Sequence, residues 1–296
     1  MRIVVTGRAG QVVRSLVERG PIAGQAIVPL GRPELDLSAN RDDIAATIKA
    51  ARPDVIVSAA AYTAVDKAET ERDLAFAVNE AGPAAIAAAA RRLNVPLIHL
   101  STDYVFDGTK SDFYVETDPT GPTGVYGASK LAGERAVLSG HDNVAILRTA
   151  WVYSPFGANF VKTMLRLAQD RDEIAVVGDQ RGNPTSALDI ADGIIAVAAN
   201  LVAGRDPDQR GIFHMVGRGD ASWAEFAEAI FEESAANGGK SARVKPITSA
   251  EYPTPAKRPA NSRLSADKLA LAHDVRLPDW RQSTANIVAR LVRGDA

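Results

Sequence analysis

Five short apolar runs, rich in β-branched residues, alternate with longer alanine-rich stretches along the first half of the chain. The runs are Ile3–Thr6, Ala26–Leu30, Asp54–Ala59, Pro96–Ser101 and Val144–Arg148. The stretches between them, Gln11–Arg19, Arg41–Ala51, Leu74–Leu93 and Tyr126–Leu138, read as helices. The runs are continuously apolar, which marks strands buried on both faces. This alternation predicts an α/β fold, a Rossmann-like doubly wound parallel sheet with helices on both sides and right-handed crossovers. After about residue 150 the rhythm weakens, and Pro155, Gly157, Gly178, Gly182 and Pro184 mark loops. Residues 1–150 therefore form the expected first domain, to which about 186–202 return. Residues 151–296 form mainly a smaller C-terminal lobe.

Composition removes several classes of function. The chain has 296 residues, 46% of them hydrophobic, enough for a sizeable core. A formal net charge of -2 gives no general attraction to nucleic acid or to an anionic membrane, so neither is an expected partner. Without cysteine there are no disulfides, thiolate metal sites or thiol nucleophiles. His99, His141, His214 and His273 are scattered without ligand spacing, and no metal site is expected. The opening Met1–Gly7 reads as a strand rather than a leader, and Ala84–Ala90 is too short to span a bilayer. A cytoplasmic placement is the expectation.

The segment from Thr6 to Val13 leaves the first strand and opens the first helix. Gly7 and Gly10 permit a tight turn there. Gln11 and Val12 start a helix whose free N–H groups and partial positive charge suit a pyrophosphate. A plain strand–helix turn would also carry two glycines, but the first βα turn is where a dinucleotide binds. These residues make the first domain a dinucleotide-binding one. Val13 stands where such loops usually carry a third glycine. The second strand ends in Leu30-Gly31-Arg32 rather than in an acid. Arg32 could pair with a 2′-phosphate, although an ordinary solvated arginine fits the position equally well. NADPH is the expected cofactor, with NADH able to serve. Asp36 and Leu37 follow where they could meet the adenine.

The fourth strand ends in Ser101-Thr102-Asp103-Tyr104, and Tyr126-Gly127-Ala128-Ser129-Lys130 opens the next helix. Residues four apart share a helix face, so the phenol and ammonium point into one space. Reducing a ketone requires a proton for the developing alkoxide. A phenol of ordinary pKa, roughly 10, needs a neighbouring cation to give one up near neutrality. Thr102, Tyr126 and Lys130 are the expected catalytic set: carbonyl orienter, proton donor, and tuner that also holds the nicotinamide ribose.

The ordered glycine loop, Ser-Thr strand end and YxxxK helix resemble the extended short-chain dehydrogenase/reductases. Further blocks bring the chain closest to their dTDP-4-dehydrorhamnose reductase family: Arg52–Glu69, Ser101–Gly108, Val125–Glu134, Arg148–Tyr153, Asn159–Phe160, Asp179–Thr185 and Arg258–Leu264. The resemblance implies reduction of the C4 keto group of dTDP-4-dehydro-6-deoxy-L-mannose to dTDP-L-rhamnose. It implies that Ala60, Ala61 and Thr63 line the cofactor. It also implies that Thr102, Asp103, Trp151, Asn159, Arg258 and Arg263 face the dTDP-sugar in a substrate-binding lobe. Asn79 matches the family's structural or water-holding asparagine. Some members dimerise through carboxylate-held Mg²⁺, but the matching positions here are Ser15, Leu188 and Arg290. A monomer, or a dimer without that bridge, is expected. Rival readings are an NDP-sugar reductase or epimerase of other stereochemistry, and a non-catalytic reductase-like regulatory subunit.

Overall fold

The computed structural model describes residues 1–294. In chain order the first half gives β1 (Arg2–Thr6), α1 (Gln11–Ile22), β2 (Ala26–Leu30), α2 (Arg41–Ala50), β3 (Val55–Ser58), α3 (Val65–Ala68), α4 (Arg72–Phe76), α5 (Gly82–Leu93), β4 (Leu97–Thr102), α6 (Val125–Gly140) and β5 (Val144–Thr149). The second half gives β6 (Val152–Tyr153), α7 (Phe160–Leu167), β7 (Glu173–Val177), β8 (Arg181–Gly182), β9 (Thr185–Ser186), α8 (Ala187–Ala203), β10 (Gly211–His214), β11 (Ala221–Ser222), α9 (Trp223–Ala236), β12 (Arg243–Ile247), α10 (Asp267–His273) and α11 (Trp280–Arg293). Many helix starts have a local chemical cause. Asn40, Asn159, Ser186 and Asp279 each accept a first-turn N–H, and Ser222 forms a capping box with Glu225.

Among the described residues the central sheet has six strands in the order β10-β5-β4-β3-β1-β2, all parallel. Side chains alternate across it. Val55 and Val57 of β3 join Ile3, Val5, Ile98 and Leu147 on one face, while Ile56 joins Leu97 and Ile146 on the other. Helices α1 and α8 cover the first face, α2, α5 and α6 the second. Over the stretch 186–202 lies α8, which packs against α1. It brings with it a sixth strand, β10, and α10, which the sequence pattern did not reveal. A second core, around Tyr153, Val161, Ile174, Phe226, Ile230 and Trp280, is built by elements after residue 150.

One expected helix is not continuous. Leu74–Leu93 is interrupted by a π turn over Ala77–Ala81, between α4 and α5. The turn carries Asn79, which is buried and bonds to Tyr62 and Ser129. A single residue of excess there points the amide inward, a common use of such turns.

Candidate active site

The carboxyl ends of β1, β3, β4 and β5 open onto two hollows of about 510 and about 600 Å³, which share Gly7, Ala9, Ala60 and Ala61. Strand order reverses at the β1–β3 boundary, where α/β sheets hold their ligands. Thr6 fixes this crevice, because its Oγ1 accepts both the Ala59 N–H at 3.0 Å and the Ala60 N–H at 3.1 Å.

The glycine loop forms the floor between the hollows. Gly7 has φ 103°, and a Cβ there would lie 3.2 Å from the Val13 side chain. Val13 thus fills the space that Gly7 leaves free, which accommodates the missing third glycine. Gly10 precedes α1 with no capping side chain and no acid in the first turn, so the helix end keeps its donors and positive field for an anion. Gln11 and Val12 border the second hollow, but the Gln11 amide is engaged within the protein. Its Nε2 donates to the Val152 carbonyl, and its Oε1 accepts from Ser154 and Asn159. The other hollow is bounded by Arg32, Asp36 and Leu37. Arg32 is 69% exposed and pairs with Asp36 at 2.9 Å. Hydrogen bonds from Ser38, with the arginine beside them, hold the Asp36 carboxyl below its ordinary range. A guanidinium on this rim can take a phosphate, while Asp36 already has partners.

Thr102, Asp103, Tyr126, Lys130 and Thr63 all border the larger hollow. Helix α6 is pressed close to it: a Cβ on Gly127 would lie 2.2 Å from the Tyr104 carbonyl, and one on Gly133 2.0 Å from that of Asn79. Asn79 brackets the helix by donating to Ser129, whose hydroxyl donates to the Tyr126 carbonyl. Beneath it, the buried Arg148 grips Glu134 through two hydrogen bonds, at 2.9 and 2.7 Å.

Lys130 is 3% exposed, and its Nζ donates to the Leu100 carbonyl at 2.6 Å. Burial brings its pKa down to about 8, with Glu134 opposing. Burial also pushes the Tyr126 phenol well above the ordinary range, against the pull of a hydrogen bond with Thr102. The expected depression of the phenol by Lys130 is therefore not what dominates in the protein alone. The ammonium is turned to the Leu100 carbonyl, and desolvation keeps the phenol protonated. Asp103 is buried and accepts the Thr102 hydroxyl at 2.9 Å, and desolvation raises it to about 6. The hydroxyls of Ser101 and Thr149 are buried here without a partner in the protein. A protonated phenol, an adjacent hydroxyl and a titratable ammonium in one water-poor corner can hand a proton to a carbonyl oxygen.

The residues expected on the sugar side divide. Trp151 borders the cleft in a left-handed backbone, φ 48°, its ring stacked on Trp223 at 3.6 Å and 5°. Such a backbone on a bulky residue costs about 1–3 kcal/mol and persists only where packing enforces it. Asn159 is not brought into the cleft: it caps α7 and donates to Gln11 and to the Ser154 carbonyl. Arg258 pairs with Asp66 at 2.7 Å and lies over the Tyr104 ring, and Arg263 is held by Asn261 and the Ser111 carbonyl. Neither arginine is among the residues lining the two hollows. Asp66 is engaged within the protein, accepting from Arg258 and from the Ala256 N–H. Trp223 and the Leu100 carbonyl had no sequence signal for their parts here.

At the three positions matched to the metal bridge, Ser15 lies on the buried face of α1, Leu188 packs on the second core, and Arg290 grips Glu18 with two hydrogen bonds. Among the described residues no group of three histidines or acids could hold a metal ion.

The family model for the RmlD substrate binding domain matches residues 1–293. A dTDP-4-dehydrorhamnose reductase of Sinorhizobium fredii is 52% identical over 292 residues, 99% of this chain and 98% of that protein. The Escherichia coli K12 protein of that name is 40% identical and covers 98% of each chain. Among solved structures, a Bacillus anthracis dTDP-4-dehydrorhamnose reductase in complex with NADP superposes with a TM-score of 0.89 at 36% identity, covering 97% of this chain and 98% of that one.

Proposed function

The chain belongs to the dTDP-4-dehydrorhamnose reductase family, and from that premise we propose that it reduces the C4 keto group of dTDP-4-dehydro-6-deoxy-L-mannose to dTDP-L-rhamnose, with NADPH as cofactor and NADH as a weaker substitute. The observation that carries the proposal is the convergence of Thr102, Tyr126 and Lys130 on one cleft with the glycine loop and the Trp151 ring. The residues present fit the cofactor. Gly7 offers a surface no Cβ could share, the start of α1 keeps its donors, and Arg32 stands at the adenosine end. Gly7, Gly10, Val12, Ala60, Ala61 and Thr63 would hold it by backbone and small side chains, while Gln11 acts through its main chain. When bound, NADPH supplies the hydride.

The chain supplies the remainder. Once its proton turns from Asp103 to the substrate, the Thr102 hydroxyl orients the sugar's O4, and Tyr126 gives that oxygen its proton. Burial keeps the phenol loaded until it is needed. Lys130, a cation below about pH 8, steadies the phenolate that is left and holds the nicotinamide ribose. Asp103, anchored on Thr102, faces the sugar. Arg258 and Arg263 act at one remove, by shaping the loops against Tyr104 and Ser111. Residues 1–150 with α8 carry the cofactor, and the second core carries the sugar side. With an arginine paired to Glu18 where a Mg²⁺ bridge would need a carboxylate, the expected state is a monomer or a dimer joined in another way. Among the described residues no helix is long and apolar enough to cross a membrane, which is compatible with the proposed cytoplasmic placement.

Incubation with the 4-keto sugar and NADPH, followed by NMR of the product, tests the reading. Rhamnose is the expected sugar, and a 6-deoxytalose product, or none, overturns it. Tyr126→Phe should cut kcat by about 10²–10⁴ while still binding NADPH. A variant retaining most of its activity refutes Tyr126 as donor.

A further inference from the structure

Trp151 owes its place to two residues outside the catalytic set. Its indole lies flat on Trp223, with centroids 3.6 Å apart and planes 5° from parallel. Trp223 opens α9, behind the Ser222–Glu225 capping box, and is backed by Phe160 at 4.7 Å. Along its edge, Trp151 meets Gly182. A Cβ on that glycine would stand 2.5 Å from both Cε2 and Nε1 of the indole and 2.8 Å from the Ser262 hydroxyl. The backbone at Trp151 is left-handed and anchored by its carbonyl, which accepts the Thr185 N–H at 3.2 Å. The ring therefore sits in a slot, with Trp223 on one face and Gly182 on one edge. Trp151 borders the same hollow as Thr102, Tyr126 and Lys130 and not the one that Arg32 borders.

We propose that Trp223 is a positioning residue which, with Gly182, seats Trp151 as a flat apolar wall for the sugar ring and so sets affinity for a 6-deoxy sugar. The inference rests on the reductase reading above. The chemistry is that of an indole face against the C–H bonds and methyl group of a deoxysugar, a surface that hydroxyl-rich walls match poorly. Both tryptophans pack on the second core, Trp151 two residues beyond the end of β5.

The test compares Trp223→Ala, Trp223→Phe and Gly182→Ala with the parent protein. Binding of dTDP-L-rhamnose, of dTDP alone and of NADPH is measured by calorimetry, with KM and kcat alongside. Trp223→Ala should weaken dTDP-L-rhamnose by about tenfold, the worth of one aromatic stack, with the loss falling on KM more than on kcat. Binding of dTDP and NADPH should change less than about twofold. Trp223→Phe should recover most of the loss, and Gly182→Ala, which displaces the ring from its edge, should repeat it. If Trp223→Ala does not bind NADPH as a folded protein does, Gly182→Ala decides. Equal loss for dTDP and dTDP-L-rhamnose overturns the inference, because the wall would then face the nucleotide. Parent-like affinity in Trp223→Ala or Gly182→Ala overturns it as well. A parent protein that makes no rhamnose defeats the reductase reading instead, and the product NMR separates the two failures.

Discussion

Lys130→Met should give a protein that is inactive and yet more stable than the parent. Lys130 is buried with its ammonium against a single carbonyl, and burial lowers its pKa from 10.5 to about 8. At about 1.4 kcal/mol per pH unit, that fall corresponds to roughly 3 kcal/mol of folding free energy spent on keeping the buried amine charged at neutral pH. Methionine has a similar shape and no charge. It forfeits the bond to the Leu100 carbonyl, about 1 kcal/mol, leaving a net gain of about 2 kcal/mol. For a chain of this size that raises Tm by roughly 4 °C. The sign with pH follows from the direction of the shift. Below the folded pKa both folded and unfolded chains carry the proton, and the penalty is fully present. Between about 8 and 10.5 the unfolded chain binds more protons, so the parent gains stability with rising pH. Above that window the penalty is gone. The advantage of Lys130→Met should thus be largest at pH 7 and should shrink steadily by pH 10. Urea unfolding followed by circular dichroism at both pH values measures it. A variant that is less stable at pH 7, or one whose advantage is constant with pH, would refute the electrostatic account of Lys130.

Two other outcomes are expected. Arg32→Ala should lower the ratio of kcat/KM for NADPH over NADH by about tenfold, the worth of one charge-assisted phosphate contact; an unchanged ratio removes Arg32 from cofactor selection. Arg148→Met should destabilise the fold by about 3–5 kcal/mol because it strands the buried Glu134 carboxylate, whereas Arg148→Met with Glu134→Met should recover most of that loss. Chemical denaturation of the three proteins decides, and a single-variant loss below about 1 kcal/mol would mean that the pair is not buried in solution as it is here.

The parts of the site set by local spacing were legible in the chain. Tyr126 and Lys130 share a helix face at any site, Thr102 closes a strand whose apolar run is unmistakable, and Gly7 must be glycine at φ 103°. What depended on distant contacts was not legible. The direction of the Lys130 ammonium depends on a carbonyl in another element, and with it the balance between charge and burial at Tyr126. Arg258 finds Asp66 across 192 residues of sequence, so nothing near it distinguished a structural ion pair from a diphosphate ligand. The role of Asn159 had a readable signal, an asparagine immediately before the apolar Phe160–Leu167 run, the pattern of a helix cap. The four residues of β10 are too few to show a period, and only pairing with β5 reveals them as a strand of the main sheet.

The amide of Gln11 has a consequence for how the molecule opens. It belongs to the first residue of α1, yet all three of its bonds, to Val152, Ser154 and Asn159, are made to the segment where the chain passes from the central sheet into the second core. Parting the cores there breaks the three together. At about 1 kcal/mol each, and with the Glu18–Arg290 pair between α1 and α11 adding to them, a molecule with this crossing released would be a species rarer than about one in a hundred. Exchange of a sugar by that route would be a rare all-or-none event, whose frequency Gln11→Ala should raise and amide hydrogen exchange around Phe156 should report.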